Sequence, residues 1–167
     1  MDETLFRFAN SFYLTAPGFW AVLDGSTAVL VLGIAAAVLA WFTGEKRWIL
    51  PAVVAVGLTD LVAVRAIKPA VNEPRPCTIL EGVHGPGDWR HPDCGAGPAM
   101  PSAHAANTMA LAVAIGSPPL MAVSLLVGVS RVVTGQHWPS DVAAGWALGA
   151  AVALAVREGA KKAFRWP

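Results

Sequence analysis

"WILPAVVAVGLTDLVAVRAIKPAVNEPRPC", residues 48–77, decides the fold of this chain. Its first twenty residues are mostly apolar, and twenty helical residues extend about 30 Å, which is the thickness of the hydrocarbon core of a membrane. We therefore predict a membrane span here, although it contains Asp60 and Arg65, which could pair with each other or bond to a neighbouring helix. Lys68 and Arg75 follow at the mouth of this span, with six residues between them. The rest of the sequence has to explain what these two cations bind.

The composition favours a membrane protein over a soluble domain. Of the 167 residues, 55% are hydrophobic and 14% are charged, whereas soluble domains carry about 25% charged residues. The formal net charge is +1, so the sequence offers no strong basic field, and we expect no nucleic-acid partner. Seven tryptophans fit anchoring at the headgroup level of a bilayer. The length suits a single domain over residues 1–167, and the acidic N-terminus does not have the pattern of a cleavable signal peptide.

Four further apolar stretches are long enough for membrane helices, at 26–42, 101–116, 119–134 and 139–156. The last of them is rich in glycine and alanine, which allow helices to pack closely. Residues 1–25 mix apolar and polar positions and are interrupted at Ala16-Pro17-Gly18, and we predict an interfacial helix there. The predicted fold is therefore all-α, an integral membrane bundle of five transmembrane helices with an N-terminal interfacial helix.

Positively charged flanks orient this bundle. Lys46 and Arg47 follow the first predicted span, and four cations follow the fifth: Arg157, Lys161, Lys162 and Arg165. The alternation of spans places both groups on the same side, which the positive-inside rule makes the cytoplasm. Residues 68–100 and 130–139 then share the opposite side. We predict a multi-pass protein of the inner (plasma) membrane, whose active-site loop, 68–100, faces the outside or periplasm.

Both cysteines, Cys77 and Cys94, lie in the predicted external loop. Disulfides form in oxidising compartments, and this one would close a loop of about 18 residues, worth about 3 kcal/mol in the chain-entropy treatment. Two free thiols are one alternative. A zinc site made by the cysteines with His84 and His91 is another, although its spacing resembles no compact ligand motif. Without zinc, both histidines are interpreted as solvated loop residues.

Three polar clusters lie on the predicted outer side: Lys68 with Arg75, Ser102 with His104, and Arg131 with His137 and Asp141. Phosphoryl transfer requires fixed cations for the oxygens of the transferred group, and a helix N-terminus adds backbone N–H donors. One histidine can attack phosphorus, while a carboxylate fixes its tautomer. A second histidine can protonate the leaving oxygen. The clusters therefore contain the residue types that phosphoryl transfer needs.

Each of these residues also has an ordinary structural interpretation. Lys68 could extend its amine to the membrane interface, and His104 could simply bond to a neighbour. His137 and Asp141 could form a structural pair at the start of a helix. Arg131 is harder to explain in this way, because it lies near the end of an apolar span, where a charge is costly and usually functional.

In combination, the clusters resemble the three-part signature of the type-2 phosphatidic acid phosphatase superfamily. The first part is Lys, six residues and Arg-Pro, which here is Lys68 to Arg75-Pro76. The second part, Pro-Ser-Gly-His, is PSAH at 101–104, with Ala103 in place of the usual glycine. The third part is Ser-Arg, five residues, His, three residues and Asp, which here is Ser130-Arg131, His137 and Asp141. The parts occur in this order, and the five predicted spans extend the resemblance over most of the chain.

The resemblance implies a role for each residue. The phosphate would be bound by Lys68, Arg75, Arg131, Ser102 and the backbone N–H of Ala103. His137 would attack phosphorus and form a phosphohistidine, and Asp141 would orient His137. His104 would protonate the leaving group and then activate water. No metal and no other cofactor would be required. The methyl group of Ala103 keeps the backbone donor but could change the fit.

The resemblance also implies a membrane lipid phosphate or diphosphate as the substrate. For a short chain of bacterial type with an external site, the preferred prediction is undecaprenyl diphosphate, the diphosphate of the polyprenyl carrier of cell-wall synthesis. Phosphatidylglycerol phosphate, phosphatidic acid and lipid A phosphate are alternatives. A non-catalytic lipid-binding or transport protein is a further alternative, as is a haloperoxidase, although relatives of that kind are large and soluble. The sequence leaves the oligomeric state open.

Overall fold

The computed structural model describes residues 2–24, 46–88, 91–92 and 94–165, together with the single positions 33, 38, 42 and 44. Its N-terminal segment forms helix α1, Asp2–Ser11, a 3₁₀ turn, Phe12–Thr15, and helix α2, Pro17–Asp24. The helices are separated at Ala16, within the predicted interruption. Four apolar side chains of this segment are exposed: Leu5, Phe8, Phe12 and Phe19. Exposed apolar side chains of this kind suit a membrane interface.

A long helical stretch begins at Lys46. It comprises a 3₁₀ turn, Lys46–Trp48, helix α3, Ile49–Leu61, a π-helical turn, Val62–Ile67, and helix α4, Lys68–Val71. Asn72 ends it in the left-handed conformation, with φ of 50°, which asparagine tolerates better than most residues. The π turn leads directly into Lys68, and such turns are frequent at functional sites.

The predicted external loop, residues 68–100, contains a short helix and a short strand pair. Helix α5 is Pro76–Ile79, and β1, Gly87–Asp88, pairs antiparallel with β2, His91–Pro92. A disulfide joins Cys77 to Cys94. Because this bond uses both sulfur atoms, the structure does not contain the cysteine ligands that the zinc alternative needs.

Three helices complete the bundle: α6, Ala103–Ile115, α7, Pro118–Val133, and α8, Pro139–Phe164. Proline occupies the first turn of α7 and of α8, where its missing N–H would have no intrahelical partner in any case. Apart from the two-residue strands, the regular structure of the described residues is helical, as the sequence predicted.

Two glycines set how closely α8 approaches α6. A Cβ atom added to Gly145 would lie 2.6 Å from the carbonyl oxygen of Ser102, and one added to Gly149 would lie 2.1 Å from that of Ala106. Any side chain at these positions would therefore force the helices apart. Small side chains fill the core around this contact: Ala52, Ala55, Ala110, Ala114, Ile115 and Ala153.

Arg157 fixes the end of the bundle that lies opposite the external loop. Its guanidinium donates to the carbonyl oxygens of Val113 at 3.2 Å and Ala114 at 2.7 Å, which are near the C-terminus of α6. The same group lies 4.0 Å from the ring centre of Trp48, an arrangement that cation–π attraction favours. Arg157 thus ties the ends of α3, α6 and α8 together.

Two helical stretches of the described residues have the length and apolar composition that a membrane crossing requires, Lys46–Ile79 and Pro139–Phe164. Ala103–Ile115 and Pro118–Val133 are apolar but shorter. The first predicted span, 26–42, lies outside the described residues except at three single positions. The count of five spans therefore stays a prediction.

We predict that Cys77 and Cys94 stabilise the fold only through the disulfide that joins them. Replacing Cys77 by Ala, Cys94 by Ala, or both should lower the free energy of unfolding by the same amount, about 3 kcal/mol, because each variant removes the same bond. Denaturant unfolding of the purified protein in detergent measures this. Losses that add in the double variant would mean that the cysteines act independently.

We predict that the external loop and the C-terminal end of α8 lie on opposite sides of the membrane. In a background with both cysteines replaced by alanine, an impermeant thiol reagent should label Glu81→Cys in intact cells. It should label Lys162→Cys only after the membrane is opened, because the basic tail follows the positive-inside rule. The reverse labelling pattern would invert the topology.

Candidate active site

The amine of Lys68 lies at the outer end of the π turn and points to the external loop. It donates to the carbonyl oxygens of Pro98 at 2.5 Å and Ala99 at 3.0 Å. Glu73 makes a further hydrogen bond with the same segment: its carbonyl oxygen accepts from the N–H of Ala99 at 2.8 Å. Residues 94–99, which we call the 94–99 loop, therefore hold this cation in place.

Arg75 connects the 94–99 loop to the segment between α7 and α8. Its Nε donates to the carbonyl oxygen of Gly97 at 3.0 Å. Its Nη1 donates to the carbonyl oxygen of Gln136 at 3.0 Å and lies 3.1 Å from Nε2 of His137. The side chain of Gln136 completes the connection, because its Oε1 accepts from the N–H of Gly95 at 2.8 Å. The guanidinium is thus oriented from both sides.

His137 and Asp141 form a buried pair at the start of α8. Nδ1 of His137 lies 3.3 Å from Oδ2 of Asp141, and the two side chains are 2% and 0% exposed. Oδ2 also accepts from the backbone N–H of Trp138 at 2.8 Å. Because a guanidinium only donates, Nε2 of His137 must accept from Arg75, which leaves the ring proton on Nδ1, facing the carboxylate. The lone pair of Nε2 therefore points toward the cations.

The protonation state of His137 follows from its surroundings. Burial lowers the pKa of the imidazole well below its ordinary value, and the positive charges of Arg131 and Arg75 lower it further. The ring is therefore neutral near pH 7. A neutral imidazole with an unprotonated Nε2 is the form that can act as a nucleophile.

The predicted second cluster forms the N-terminus of α6. Ser102 precedes the helix as its N-cap, and its Oγ accepts from the N–H of Ala105 at 3.5 Å. Its own N–H donates to the carbonyl oxygen of Asp141 at 3.0 Å, which joins the second cluster to the third. Ala103 is the first helical residue, so its N–H has no intrahelical acceptor and can bind an anion.

His104 follows Ala103. The positive charges of the three predicted phosphate-binding cations, Lys68, Arg75 and Arg131, act on its imidazole ring. Among the described residues, its ring makes no hydrogen bond. The structure thus brings all eight predicted site residues to one end of the bundle.

Arg131 pairs with Asp24, at the end of α2, a residue that was not predicted from the sequence. Nη1 of Arg131 donates both to the carboxylate and, at 2.7 Å, to the backbone carbonyl of Asp24. Thr134 donates to the same carboxylate at 2.8 Å. Nε of Arg131 is buried and has no partner among the described residues, so it remains available as a donor. The only sequence signal for Asp24 is an acidic residue just before the uncharged run 26–42.

Helix α1 also contributes to the site, because it covers residues 134–138, which we call the 134–138 turn. The side-chain amide of Asn10 donates to the carbonyl oxygens of Val133 at 2.8 Å and His84 at 2.6 Å. The ring of Phe6 is fully buried and lies 5.4 Å from that of Trp138. The mixture of apolar and polar positions in residues 1–25 predicted an interfacial helix but not the partner of its buried face.

Gly135 allows the 134–138 turn to form. Its φ is +79°, and a Cβ atom there would lie 2.4 Å from Cγ1 of Val83. Its carbonyl oxygen accepts from the N–H of Cys77 at 3.2 Å. A side chain at this position would therefore be strained and would clash with the external loop.

Two acidic residues to which the signature assigns no role also have partners. Asp60 accepts a hydrogen bond from Asn107 of α6 at 2.8 Å, so it bonds across helices and not to Arg65. Glu73 lies against Asp141, where the two carboxyl groups interact. Within the part of the chain that the structure describes, no group of three or more His, Cys, Asp or Glu residues could hold a metal ion.

Comparison with known sequences identifies related phosphatases. The PAP2 superfamily model matches residues 118–165, which include Arg131, His137 and Asp141. The decaprenylphosphoryl-5-phosphoribose phosphatases of two Mycobacterium tuberculosis strains are 41% identical over 61 residues. That alignment covers 34% of this chain and 34% of the relative, so the chain matches about a third of the length of these relatives.

Two solved structures have the same fold over most of the chain. LpxE of Aquifex aeolicus superposes with a TM-score of 0.70 at 22% identity, covering 94% of both chains. The first transmembrane PAP2-type phosphatidylglycerolphosphate phosphatase of Bacillus subtilis superposes with a TM-score of 0.69 at 20% identity, covering 96% of this chain and 85% of the other. The PAP2 superfamily model thus matches the part of the chain that carries Arg131, His137 and Asp141, and the chain has the fold of these two phosphatases.

Proposed function

We propose that this protein is a metal-independent phosphatase of membrane lipid phosphates that works through a phosphohistidine. The observation that supports this most directly is the environment of His137. Its Nδ1–H faces Asp141 at 3.3 Å, and its Nε2 lone pair faces Arg75 at 3.1 Å. A nucleophile held between an orienting carboxylate and a phosphate-binding cation is what attack on phosphorus requires.

The proposed reaction has two steps. In the first, Nε2 of His137 attacks phosphorus, the bond from phosphorus to the leaving oxygen breaks, and His104 gives that oxygen a proton. In the second, His104 takes a proton from water, the resulting hydroxide attacks phosphorus, and the nitrogen–phosphorus bond breaks. Asp141 stabilises the positive charge that develops on the His137 ring in each step.

The cations have a defined part in this reaction. Arg75 must transfer its Nη1 hydrogen bond from Nε2 of His137 to a phosphate oxygen before the nitrogen can attack. Nε of Arg131, the N–H of Ala103 and the third proton of the Lys68 amine supply further donors to the phosphate. Because most of these groups are already fixed by protein contacts, little reorganisation is needed when charge develops on the phosphate oxygens.

The substrate belongs to the membrane in this proposal, and the site faces the outside or periplasm. Undecaprenyl diphosphate stays the prediction from the sequence. A second candidate is the phosphate ester of a polyprenyl-linked sugar, because the relatives that are 41% identical over 61 residues are named as phosphatases of decaprenylphosphoryl-5-phosphoribose. Phosphatidylglycerol phosphate is a further candidate, because the Bacillus subtilis protein of the same fold is a phosphatase of that lipid.

The competing classes explain fewer of these contacts. A non-catalytic lipid-binding or transport protein would need the cations but not a neutral, carboxylate-oriented histidine beside them. A haloperoxidase would use the same pocket for vanadate. The apolar helices Lys46–Ile79 and Pro139–Phe164 favour a lipid substrate over this second class, whose members are large and soluble.

We predict different defects for the two site histidines. His137→Ala should release no phosphate and form no phosphoenzyme, because it lacks the nucleophile. His104→Ala should lower turnover of a lipid phosphate roughly 10²–10⁴-fold but should cleave p-nitrophenyl phosphate with a smaller loss, because that leaving group needs no acid. With this substrate, His104→Ala should accumulate an acid-labile phosphoenzyme, which rapid quenching and phosphate labelling can measure.

A metal-activated water with the histidines as ligands is the competing mechanism. Activity should persist in chelator, and vanadate, which can adopt five-coordinate geometry, should inhibit. Complete loss of activity in chelator, restored by a divalent cation, would contradict the proposal, as would a phosphoenzyme in His137→Ala.

We predict that Asp24 positions Arg131 for phosphate binding. Asp24→Ala should lower kcat/KM on the order of 10²-fold, because a displaced cation no longer meets the phosphate, and most of the loss should appear in KM. Glu3→Gln is the matched control, because Glu3 forms an exposed pair with Arg7 on the same N-terminal segment and surface pairs contribute little. Equal kinetics of Asp24→Ala and Glu3→Gln would show that Arg131 needs no such partner.

A further inference from the structure

Asp60 and Asn107 form a polar pair within the apolar part of the bundle. Nδ2 of Asn107 donates to Oδ1 of Asp60 at 2.8 Å, which links α3 to α6. Asp60 is exposed although its helix is apolar. An exposed carboxylate in a membrane helix is costly, and such residues usually serve a substrate or ion path. The reaction proposed above does not use either residue.

The position of the pair places it beside the leaving group. Asn107 follows His104 by three residues on α6, so both side chains lie on the same face of the helix, one turn apart. Asp60 precedes Lys68 by eight residues, and its charge acts on His104. In the proposed mechanism His104 protonates the leaving oxygen. A pair one turn from His104 is therefore near the part of the leaving group that is bonded to this oxygen.

The chemistry of the pair selects what can bind there. Asn107 satisfies one oxygen of Asp60, and within the described residues the other oxygen has no hydrogen-bond donor. Oδ1 of Asn107 is buried and lacks a partner in the same part of the chain. Two acceptors of the pair therefore lack a donor among the described residues: the second carboxylate oxygen of Asp60, which belongs to an exposed residue, and the buried Oδ1 of Asn107. Hydroxyl groups can donate to them, whereas the oxygens of a second phosphate only accept and would be repelled by the carboxylate.

We propose that Asp60 and Asn107 form a hydroxyl-binding subsite for the leaving group. This proposal rests on the phosphatase function proposed above and narrows its substrate class. The site then prefers a phosphate monoester whose leaving group carries free hydroxyls, such as a sugar or a glycerol headgroup. It disfavours a lipid diphosphate, whose leaving group is itself a phosphate, and so it argues against undecaprenyl diphosphate, the substrate predicted from the sequence.

Three lipids with identical acyl chains test this subsite: phosphatidylglycerol phosphate, phosphatidic acid and diacylglycerol diphosphate. Their leaving groups carry a hydroxyl, no hydroxyl and a phosphate, respectively. The wild-type protein should show its highest kcat/KM with the first.

Asp60→Asn should lower that value about 10- to 100-fold, which corresponds to the loss of a hydrogen bond to a charged group. It should leave phosphatidic acid nearly unchanged and increase hydrolysis of the diphosphate. Asp60→Glu, which keeps the charge, should keep the low rate with the diphosphate.

The controls separate this proposal from the function on which it rests. Glu158→Gln, a change at an exposed carboxylate near the opposite end of α8, should behave as the wild-type protein. An equal fall with all three lipids in Asp60→Asn would overturn the subsite, because it would mean that Asp60 acts through His104 or through the fold. Unchanged selectivity would overturn it as well. No phosphate release from any lipid by the wild-type protein would instead overturn the phosphatase function and, with it, the subsite.

Discussion

The close contact between α6 and α8 is the constraint on which the site depends. Gly145 and Gly149 let the two backbones meet, because a Cβ atom at either position would lie within 2.6 Å of a carbonyl oxygen of the other helix or its N-cap. At the outer end of this contact, the N–H of Ser102 donates to the carbonyl oxygen of Asp141. The anion-binding end of α6 is therefore fixed relative to the histidine–aspartate pair of α8. A wider helix separation would move the N-terminus of α6, where we propose that phosphate binds, away from His137.

Contacts with loops also fix the positions of the site residues, in addition to the packing of the helices. The 94–99 loop accepts hydrogen bonds from Lys68 and Arg75, and the disulfide ties that loop to the helix that follows Arg75. Helix α1 holds the 134–138 turn through Asn10 and Phe6. The protein itself thus orients the cations and the imidazole. In the proposed reaction, this is the condition under which electrostatic stabilisation of a transition state is most effective.

The sequence analysis and the structure agree where chemistry and periodicity act locally. Helices begin at Ala103 and Pro139, where a serine or proline start signal precedes an apolar run. The residues of the three signature parts lie together at the ends of these helices. Asp24 and Glu73 were not predicted, because they meet Arg131 and Asp141 across 107 and 68 positions of the chain. Neither contact has a spacing that a sequence pattern can reveal.

The sequence by itself determined the helical class, the apolar composition, the three signature parts and the residue types of a phosphoryl-transfer site, because each follows from side-chain chemistry within a short window. The tertiary structure alone decided which atom of His137 faces which partner, and that Asp24, α1 and the 94–99 loop support the site. It also placed Asp60 against Asn107, one turn below His104. Those arrangements depend on how whole helices approach one another, and packing settles that approach only when the complete chain is folded.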